Sequence, residues 1–328
     1  MPGNMSSGLN TTHHTNVAVR TAIACIYGLI FLVGATGNSI VIWNIFMNIK
    51  HRSPTVSLIL NLAVADLMAL VLVPFIASDI ANAPFLGLVF WKISGYLLFS
   101  SMYTSVFLIT VMSIERFVAV LYPITAQKWW QRGHVGKVVT AVWLSGFLSA
   151  IPVILVVATD IRDGRPHLKR RYSSDEQQIT VLLLETLVGF VIPFITLMVC
   201  YTFIFKRVKL MNFQTKDKGK TGRLIAGVVI LFALCWLPYH SRNVIKVLAV
   251  LSKTSNPDLS KRLNSIDSCF EIVAKVLIFI SNSSNPIIYA FAARSFKSGF
   301  KMSNIARFFE QVNNSSKGKK DDSSEIPP

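Results

Sequence analysis

Charged residues are scarce in this chain, and acidic ones are the scarcer kind. Lys, Arg, Asp and Glu make up 15% of the 328 residues, with 16 acidic side chains against 33 basic ones. Hydrophobic residues reach 52%, and the mean hydropathy of +0.51 lies above that of an average soluble domain. These proportions exclude a soluble globular protein and place the chain in a membrane.

Cysteine is also scarce, and its placement excludes a disulfide framework in the loops. Cys25, Cys200, Cys235 and Cys269 all lie in or near apolar segments. A bond between Cys25 and Cys269 stays open, although the sequence favours two buried thiols. No cluster of His, Asp or Cys has the spacing of a metal site or an activated nucleophile, so an enzyme is not predicted.

Long polar stretches are missing from most of the chain, because seven apolar segments follow one another. Each segment is long enough to cross about 30 Å of hydrocarbon as a helix. The sequence therefore predicts an all-α membrane protein, a seven-transmembrane helix bundle spanning 18–292. The predicted spans are 18–48, 54–81, 88–122, 135–158, 178–205, 222–251 and 265–292.

The topology follows from the tail and from the loop charges. Residues 1–17 are polar, and Asn4 and Asn10 each begin a glycosylation tripeptide, which predicts an extracellular N-terminal tail. The loops that then face inward hold more Lys and Arg than the outer ones, as the positive-inside rule requires. The net charge of +17 thus suits contact with anionic membrane lipids, and nucleic acid is not an expected partner.

Asp66 stands in the middle of the second predicted span. A carboxylate at the centre of a membrane-spanning helix costs at least ~2.5 to 3.5 kcal/mol, so it needs a partner. Two interpretations remain open at this point: a hydrogen-bonded structural aspartate, or an ion or proton site. No internal repeat accompanies this single midplane carboxylate, which makes a membrane transporter the less favoured alternative.

One short motif in each predicted span carries a resemblance to a known family. Together, in this order, they resemble the rhodopsin-like (class A) G-protein-coupled receptors. The motifs are Asn38, Leu62-Ala63-Val64-Ala65-Asp66, Glu115-Arg116-Phe117 followed by Pro123, Trp143, Pro193 with Tyr201, Cys235-Trp236-Leu237-Pro238, and Asn285-Pro286-Ile287-Ile288-Tyr289.

The resemblance implies a multi-pass receptor of the plasma membrane whose partners are a heterotrimeric G protein and arrestin. It implies a latch in which Glu115 holds Arg116 at rest and releases it to the G protein on activation. The remaining members of the implied activation switch are Tyr201, Trp236, Pro238, Asn285, Pro286 and Tyr289. It implies no cofactor apart from an allosteric sodium ion, at Asp66, Ser105, Ser281, Asn282 and Asn285.

Within that family, several strings look like the leukotriene-B4 receptors. They include Ser101-Met102-Tyr103-Thr104-Ser105-Val106, Leu184-Glu185-Thr186 and Trp236-Leu237-Pro238-Tyr239-His240. One departure concerns the disulfide that usually ties the third span to the second outer loop. Trp91 occupies the expected cysteine position, and residues 159 to 177 contain no cysteine, so we expect that loop to lack this tether.

The implied ligand is a small acidic lipid. The resemblance also implies that the receptor acts through an inhibitory G protein and takes part in chemotaxis. Leu98 and Phe279 stand where amine receptors carry Asp and retinal receptors carry Lys, which disfavours both ligand classes. Several cations above an apolar cavity suit a carboxylate with a buried hydrocarbon chain. The candidate ligand-binding residues are Tyr103, Glu185, His240, Arg242, Asn243, Lys246 and Lys275.

Three alternatives to this pocket remain open. Arg242 and Lys246 could instead extend to the membrane interface, and Glu185 could simply pair with a cation. A chemoattractant peptide with a free carboxylate would satisfy the same charges.

On the inner side, residues 293–310 alternate aromatic and basic side chains and predict an amphipathic helix 8 on the membrane surface, followed by a disordered cytoplasmic tail over 311–328.

Overall fold

The computed structural model describes residues 5–50, 52–81, 86–129, 132–162, 165–210 and 218–294, and most of them are helical. In chain order the elements are α1 (Met5–Asn48), α2 (Pro54–Leu70), α3 (Val73–Ile80), α4 (Leu88–Leu121), α5 (Pro123–Trp129), α6 (Arg132–Val156), β1 (Val157–Arg162), β2 (Arg165–Arg170), α7 (Asp175–Thr186), a π-helical turn (Leu187–Val191), α8 (Ile192–Leu210), α9 (Lys218–Ser255) and α10 (Pro257–Arg294).

These helices reproduce the seven predicted spans. Among the described residues, five stretches are long and apolar enough to cross a membrane, namely Val17–Asn48, Pro54–Ser78, Leu88–Leu121, His134–Val156 and Asp175–Arg207. The sixth and seventh spans correspond to α9 and α10, which have 38 residues each and carry several charged side chains. These charged side chains lower the mean hydropathy of both helices without shortening them.

Two spans are interrupted where proline removes a backbone donor. The second predicted span divides into α2 and α3 at Val71 and Leu72, just before Pro74. The fifth contains the π-helical turn just before Pro193. Proline cannot donate the helical hydrogen bond, so the backbone adjusts in the preceding turn.

The first helix is longer than predicted. It begins at Met5 instead of 18, so the predicted extracellular tail over 1–17 overlaps it. No proline occurs between Met5 and Asn48 to end the helix earlier. Asn4, helix 8 over 293–310 apart from the end of α10, and the tail over 311–328 lie outside the described residues, as does the side chain of Asn10.

The helix α4 lies at the centre of the bundle and contacts α2, α6 and α8. Its buried residues, including Val106 and Leu108, pack with Leu62, Leu197 and Trp236 in the main hydrophobic cluster. Many large apolar side chains point outward instead, because the surrounding lipid is itself apolar. The core and the lipid-facing surface are therefore both apolar, and the buried polar residues are what distinguish the interior of the bundle.

The cysteines depart in part from the expectation. All four are among the described residues and none forms a disulfide. Cys200 and Cys235 are buried, whereas Cys25 and Cys269 are exposed on the outside of the bundle. The prediction that Cys25 and Cys269 are buried was therefore wrong, and they are not paired either. A thiol is apolar enough to face lipid, which explains why both can lie on the outside.

A two-stranded antiparallel hairpin connects α6 to α7. Val157 pairs with Arg170 at its base, and Arg162 pairs with Arg165 at its far end. The backbone N–H of Arg171 donates to the carbonyl of Val156 at 2.7 Å, which closes the base. We call this end of the bundle the hairpin end.

Gly34 on α1 marks a close approach of three helices, and we expect Gly34→Ala to destabilise the protein. A methyl group there would overlap the Ser283 hydroxyl and lie 2.7 Å from the Leu70 side chain. Ser283 also donates to the Ile30 carbonyl at 3.2 Å, which joins α10 to α1. Overpacking of this kind costs about 1–3 kcal/mol, so the melting temperature of the detergent-solubilised protein should fall.

Gly28 on the same helix is the matched control. A methyl group at Gly28 meets no atom within 4 Å, so Gly28→Ala should leave the melting temperature unchanged or raise it. Equal melting temperatures for the two variants would show that α1 does not depend on close packing at Gly34.

Candidate functional site

Asp66 is fully buried between α2, α4 and α10, and each of its carboxylate oxygens accepts a hydrogen bond. The Ser105 hydroxyl donates to Oδ1 at 2.7 Å, and the Asn285 amide donates to Oδ2 at 2.6 Å. Two donors from two other helices thus compensate the buried carboxylate, and three of the five predicted sodium ligands meet at one point.

The other two predicted ligands have different partners. The Ser281 hydroxyl accepts a hydrogen bond from the Trp236 indole at 3.2 Å, and the Asn282 carbonyl accepts one from Asn38 at 3.2 Å. The side-chain oxygen of Asn38 and the side-chain nitrogen of Asn282 are buried without a hydrogen-bond partner.

The chemistry of this group fits a small hard cation. Its members supply the Asp66 carboxylate and the hydroxyls of Ser105 and Ser281, and oxygen ligands of this kind suit such an ion. In this conformation each Asp66 oxygen accepts one protein hydrogen bond. Each oxygen keeps a second lone pair, so Asp66 can bind an ion without losing the hydrogen bonds from Ser105 and Asn285.

The Glu115 carboxylate differs from the predicted latch. One oxygen accepts a hydrogen bond from Thr55 of α2 at 3.0 Å, and the other is buried without a hydrogen-bond partner. Among the described residues Glu115 forms no ion pair with Arg116, so the predicted contact is absent from this conformation. Glu115 faces α2 into the bundle, whereas Arg116 is only half-buried on the adjacent side of α4.

Tyr201 lies close to the same end of α4. The Ser113 hydroxyl and the Tyr201 hydroxyl are 3.0 Å apart, which joins α4 to α8 one turn before Arg116. The side chain of Tyr289 lies outside the described residues. Tyr201 thus contacts α4 at Ser113, three residues before Arg116.

An aromatic stack continues from Trp236 toward the hairpin end. The His240 ring lies 6.0 Å from Trp236 and 5.1 Å from Phe190, measured between ring centroids. His240 Nδ1 is 3.4 Å from the Thr186 hydroxyl, whereas the buried Nε2 has no partner. Tyr103 stacks on Phe107, one helical turn along α4. The interior beside these rings is apolar, with one unsatisfied ring nitrogen.

Glu185 accepts hydrogen bonds from three sources. Arg170 of β2 forms an ion pair with Glu185 at 2.8 Å, and Tyr239 and Asn243 of α9 donate to the other oxygen at 3.2 and 3.3 Å. The alternative that Glu185 pairs with a cation therefore describes this structure. Burial alone would lower the pKa of Arg170, but the adjacent Glu185 carboxylate outweighs it and raises that pKa well above its usual range.

A second ionic cluster joins α9 to α10. Arg242 donates through Nε to Asp267 Oδ1 at 2.8 Å and through Nη2 to Oδ2 at 3.2 Å. Lys246 lies 3.4 Å from the same carboxylate, and Glu271 pairs with Lys275 at 2.6 Å and approaches Arg242 at 3.7 Å. The predicted cations are present, but each has an acidic neighbour.

The arrangement corrects two parts of the sequence interpretation. Arg242 is only 4% exposed, so it does not extend to the membrane interface, because Asp267 neutralises it inside the bundle. Asp267, Glu271 and Arg170 were missed as site residues. The two acids could have been found as charges inside the seventh apolar segment, four residues apart on one helical face.

Comparisons with known proteins agree on the family. The family model for the 7 transmembrane receptor (rhodopsin family) matches residues 37–289. The chain is 34% identical to leukotriene B4 receptor 1 of Homo sapiens over 264 residues, covering 79% of this chain and 73% of that receptor. It is 32% identical to apelin receptor B of Danio rerio over 84% of this chain and 80% of the relative. Somatostatin receptor type 4 of Rattus norvegicus is 30% identical over 88% and 73%.

Proposed function

Since the chain belongs to the rhodopsin family of seven-transmembrane receptors, we propose that its ligand is an acidic amphipathic molecule, leukotriene B4 or a related oxidised fatty acid. Members of this family are multi-pass receptors of the plasma membrane that act through G proteins, and they are not enzymes. The proposal adds an inhibitory G protein, a chemotactic response, arrestin as a second partner, and a glycosylated, extracellular N-terminus at the hairpin end.

The charge balance at the hairpin end carries this proposal. Among the residues that the structure describes, Arg242, Lys246 and Lys275 form ion pairs with two acids, Asp267 and Glu271, which leaves one positive charge in excess. Arg170 and Glu185 balance each other. A single carboxylate of a ligand would complete the balance, and its hydrocarbon chain would lie along the apolar rings toward Trp236.

Lys246 is the best placed of the three cations to meet that carboxylate. Arg242 has two nitrogens occupied by Asp267, and Lys275 is held at 2.6 Å by Glu271 four residues earlier. Lys246 makes a longer contact of 3.4 Å, and its side chain is 32% exposed. We therefore assign the carboxylate to Lys246, with Arg242 positioned by Asp267 behind it.

The same proposal assigns roles to the remaining predicted residues. Tyr103, the unsatisfied His240 nitrogen and Asn243 offer hydrogen bonds to hydroxyl groups on the ligand chain. Pro238 and Pro286 give α9 and α10 places to bend. On activation Arg116 meets the G protein, and Tyr201 and Tyr289 close in around it. A sodium ion at Asp66 favours the resting state.

A peptide ligand with a free carboxylate is the second candidate. It is favoured by the relatives named for apelin and somatostatin, which match this chain nearly as well as leukotriene B4 receptor 1 does. The two candidates share the carboxylate and differ in the chain attached to it, which is a hydrocarbon in the lipid and a polypeptide in the peptide.

Nucleotide exchange on inhibitory G protein in membranes that contain the receptor separates these ligands. We expect leukotriene B4 to stimulate exchange, its uncharged methyl ester to be much weaker, and apelin and somatostatin peptides to be inactive. Stimulation by a peptide alone would replace the lipid proposal with the peptide one. Equal potency of the acid and the ester would contradict recognition of the carboxylate.

Lys246→Gln is expected to weaken the response to leukotriene B4 by about tenfold or more, since a hydrogen bond between charged groups contributes about 1.5–3 kcal/mol. The variant should leave the response to the methyl ester unchanged. Lys253→Gln is the matched control, because Lys253 lies on the same helix but pairs with Asp175 at the surface. Parallel losses for acid and ester would show that Lys246 does not contact the carboxylate.

A further inference from the structure

The hairpin between α6 and α7 is seated on the bundle without a disulfide. Trp91 stands at the cysteine position expected on α4, and all four cysteines, which are among the described residues, are unpaired. The strand β1 nevertheless contacts α4, and the base of the hairpin is closed by the hydrogen bond between Arg171 and Val156. Some other contact must hold the hairpin against the helices, because a two-stranded hairpin alone is marginally stable.

Arg170 at the end of β2 makes contacts of the required kind. Its guanidinium binds Glu185 of α7 at 2.8 Å and lies 3.4 Å from the Tyr239 hydroxyl of α9. The same group lies over the ring of Phe99 on α4, 5.0 Å from the ring centre. One side chain from the loop thus contacts three helices, α4, α7 and α9.

The energetics favour this contact over exchange with other partners. Glu185 is 5% exposed, so its attraction to Arg170 is screened little by water. Arg242, a competing cation on α9, is already bound to Asp267. A planar guanidinium can pair with a carboxylate and stack on an aromatic ring at once, and a lysine cannot do both.

We propose that the Arg170–Glu185 ion pair anchors the hairpin over the hairpin end of the bundle, in the place that a disulfide to α4 would otherwise fill. Arg170 is therefore a positioning residue: it holds the loop against α4, α7 and α9. Only the expectation that the loop covers a bound ligand rests on the proposed function. The anchor itself concerns the protein without ligand.

Hydrogen–deuterium exchange of the purified, ligand-free, full-length protein in detergent tests the anchor. We expect Arg170→Ala to accelerate exchange in residues 157–171 by about tenfold, because local opening no longer breaks an ion pair. Glu185→Gln keeps the size of the side chain and should give the same acceleration. Arg170→Lys retains the charge and should restore part of the protection.

Arg171→Ala is the matched control, because Arg171 is the next residue and its side chain is exposed. It should leave the exchange of 157–171 unchanged, as should a reducing agent applied to the unmodified protein. Unchanged exchange in both Arg170→Ala and Glu185→Gln would overturn the proposal, and so would a large acceleration by the reducing agent. Should Arg170→Ala fail to fold, Glu185→Gln decides alone, since a glutamine at this position can still accept hydrogen bonds from Tyr239 and Asn243.

Leukotriene B4 binding separates this proposal from the proposed function. If the unmodified receptor does not bind leukotriene B4, the lipid assignment fails while the exchange result still decides on the anchor. If it does bind, Arg170→Ala should accelerate dissociation, because the loop no longer covers the bound molecule. Dissociation at the unmodified rate, together with faster exchange, would mean that the anchored hairpin does not cover the ligand.

Discussion

Asp267→Asn is expected to destabilise the receptor by about 3–5 kcal/mol, the usual cost of removing one partner of a buried ion pair. Arg242 is 4% exposed and depends on Asp267 for the partner of two of its nitrogens. Asparagine has nearly the same shape as aspartate, so the variant changes the charge without opening a cavity. Arg242 and Lys246 would then repel each other, and Glu271 would be the acid that still pairs with Arg242 among the described residues.

The melting temperature of the detergent-solubilised protein and its abundance at the cell surface measure this effect. Asp175→Asn is the matched control, because Asp175 pairs with Lys253 at 3.0 Å and both side chains are at least half exposed. An exposed pair contributes about 0–1 kcal/mol, so the control should change the melting temperature little.

A double variant separates the loss of charge from the loss of a contact. Replacing Arg242 and Asp267 together by leucine removes both charges, and buried pairs replaced by apolar side chains are often neutral in stability. The double variant should therefore be more stable than Asp267→Asn. A melting temperature for Asp267→Asn equal to that of the Asp175→Asn control would contradict the assignment of Arg242 as a buried, dependent charge.

The sequence was sufficient for the bundle and for the family, and the reason is physical. A membrane-spanning helix must be predominantly apolar, so each span can be recognised without knowing what it packs against. Asp66 could be predicted to have partners for the same reason, and Ser105 and Asn285 are those partners. The motif at Glu115 was recognised, but its contact with Thr55 was not predicted. That contact depends on how α2 and α4 are rotated about their own axes, which the sequence does not give.

The balance of charge at the hairpin end could not be read in the same way. Arg242 and Asp267 are separated by 25 residues, and they meet because α9 and α10 are antiparallel neighbours. The sequence shows the basic residues of α9 and α10 but not which acidic residues pair with them across the two helices. Arg170 was missed for a related reason: a loop residue enters the bundle only because the hairpin folds back over it.

Side-chain contacts form a continuous path from the hairpin to the middle of the bundle. Glu185 binds Tyr239, whose ring meets His240 edge to face at 5.2 Å, and His240 stacks on Trp236. Trp236 in turn donates to Ser281, beside Asn282 and one turn before Asn285. Spatial continuity is not itself coupling, which requires that events at the two ends bias the same conformational equilibrium.

Sodium dependence of agonist affinity measures that coupling at Asp66. If sodium binds the resting state better than the active one, linkage requires agonist affinity to fall as sodium rises. We expect a decrease of about 5-fold to 150-fold between sodium-free buffer and saturating sodium, the usual range for coupled sites. A buffer in which N-methylglucamine replaces sodium keeps the ionic strength constant.

Asp66→Asn should remove the dependence on sodium, because an amide oxygen carries no net charge to hold the ion. The variant should still fold, since an amide oxygen can accept the hydrogen bond from Ser105 that the carboxylate accepts now. Ser283→Ala is the matched control: the Ser283 hydroxyl donates to the carbonyls of Ile30 and Phe279, away from Asp66, and sodium dependence should survive its loss. An unmodified receptor whose agonist affinity ignores sodium would leave Asp66 as a structural carboxylate that Ser105 and Asn285 compensate, which is the first of the two interpretations its position allowed.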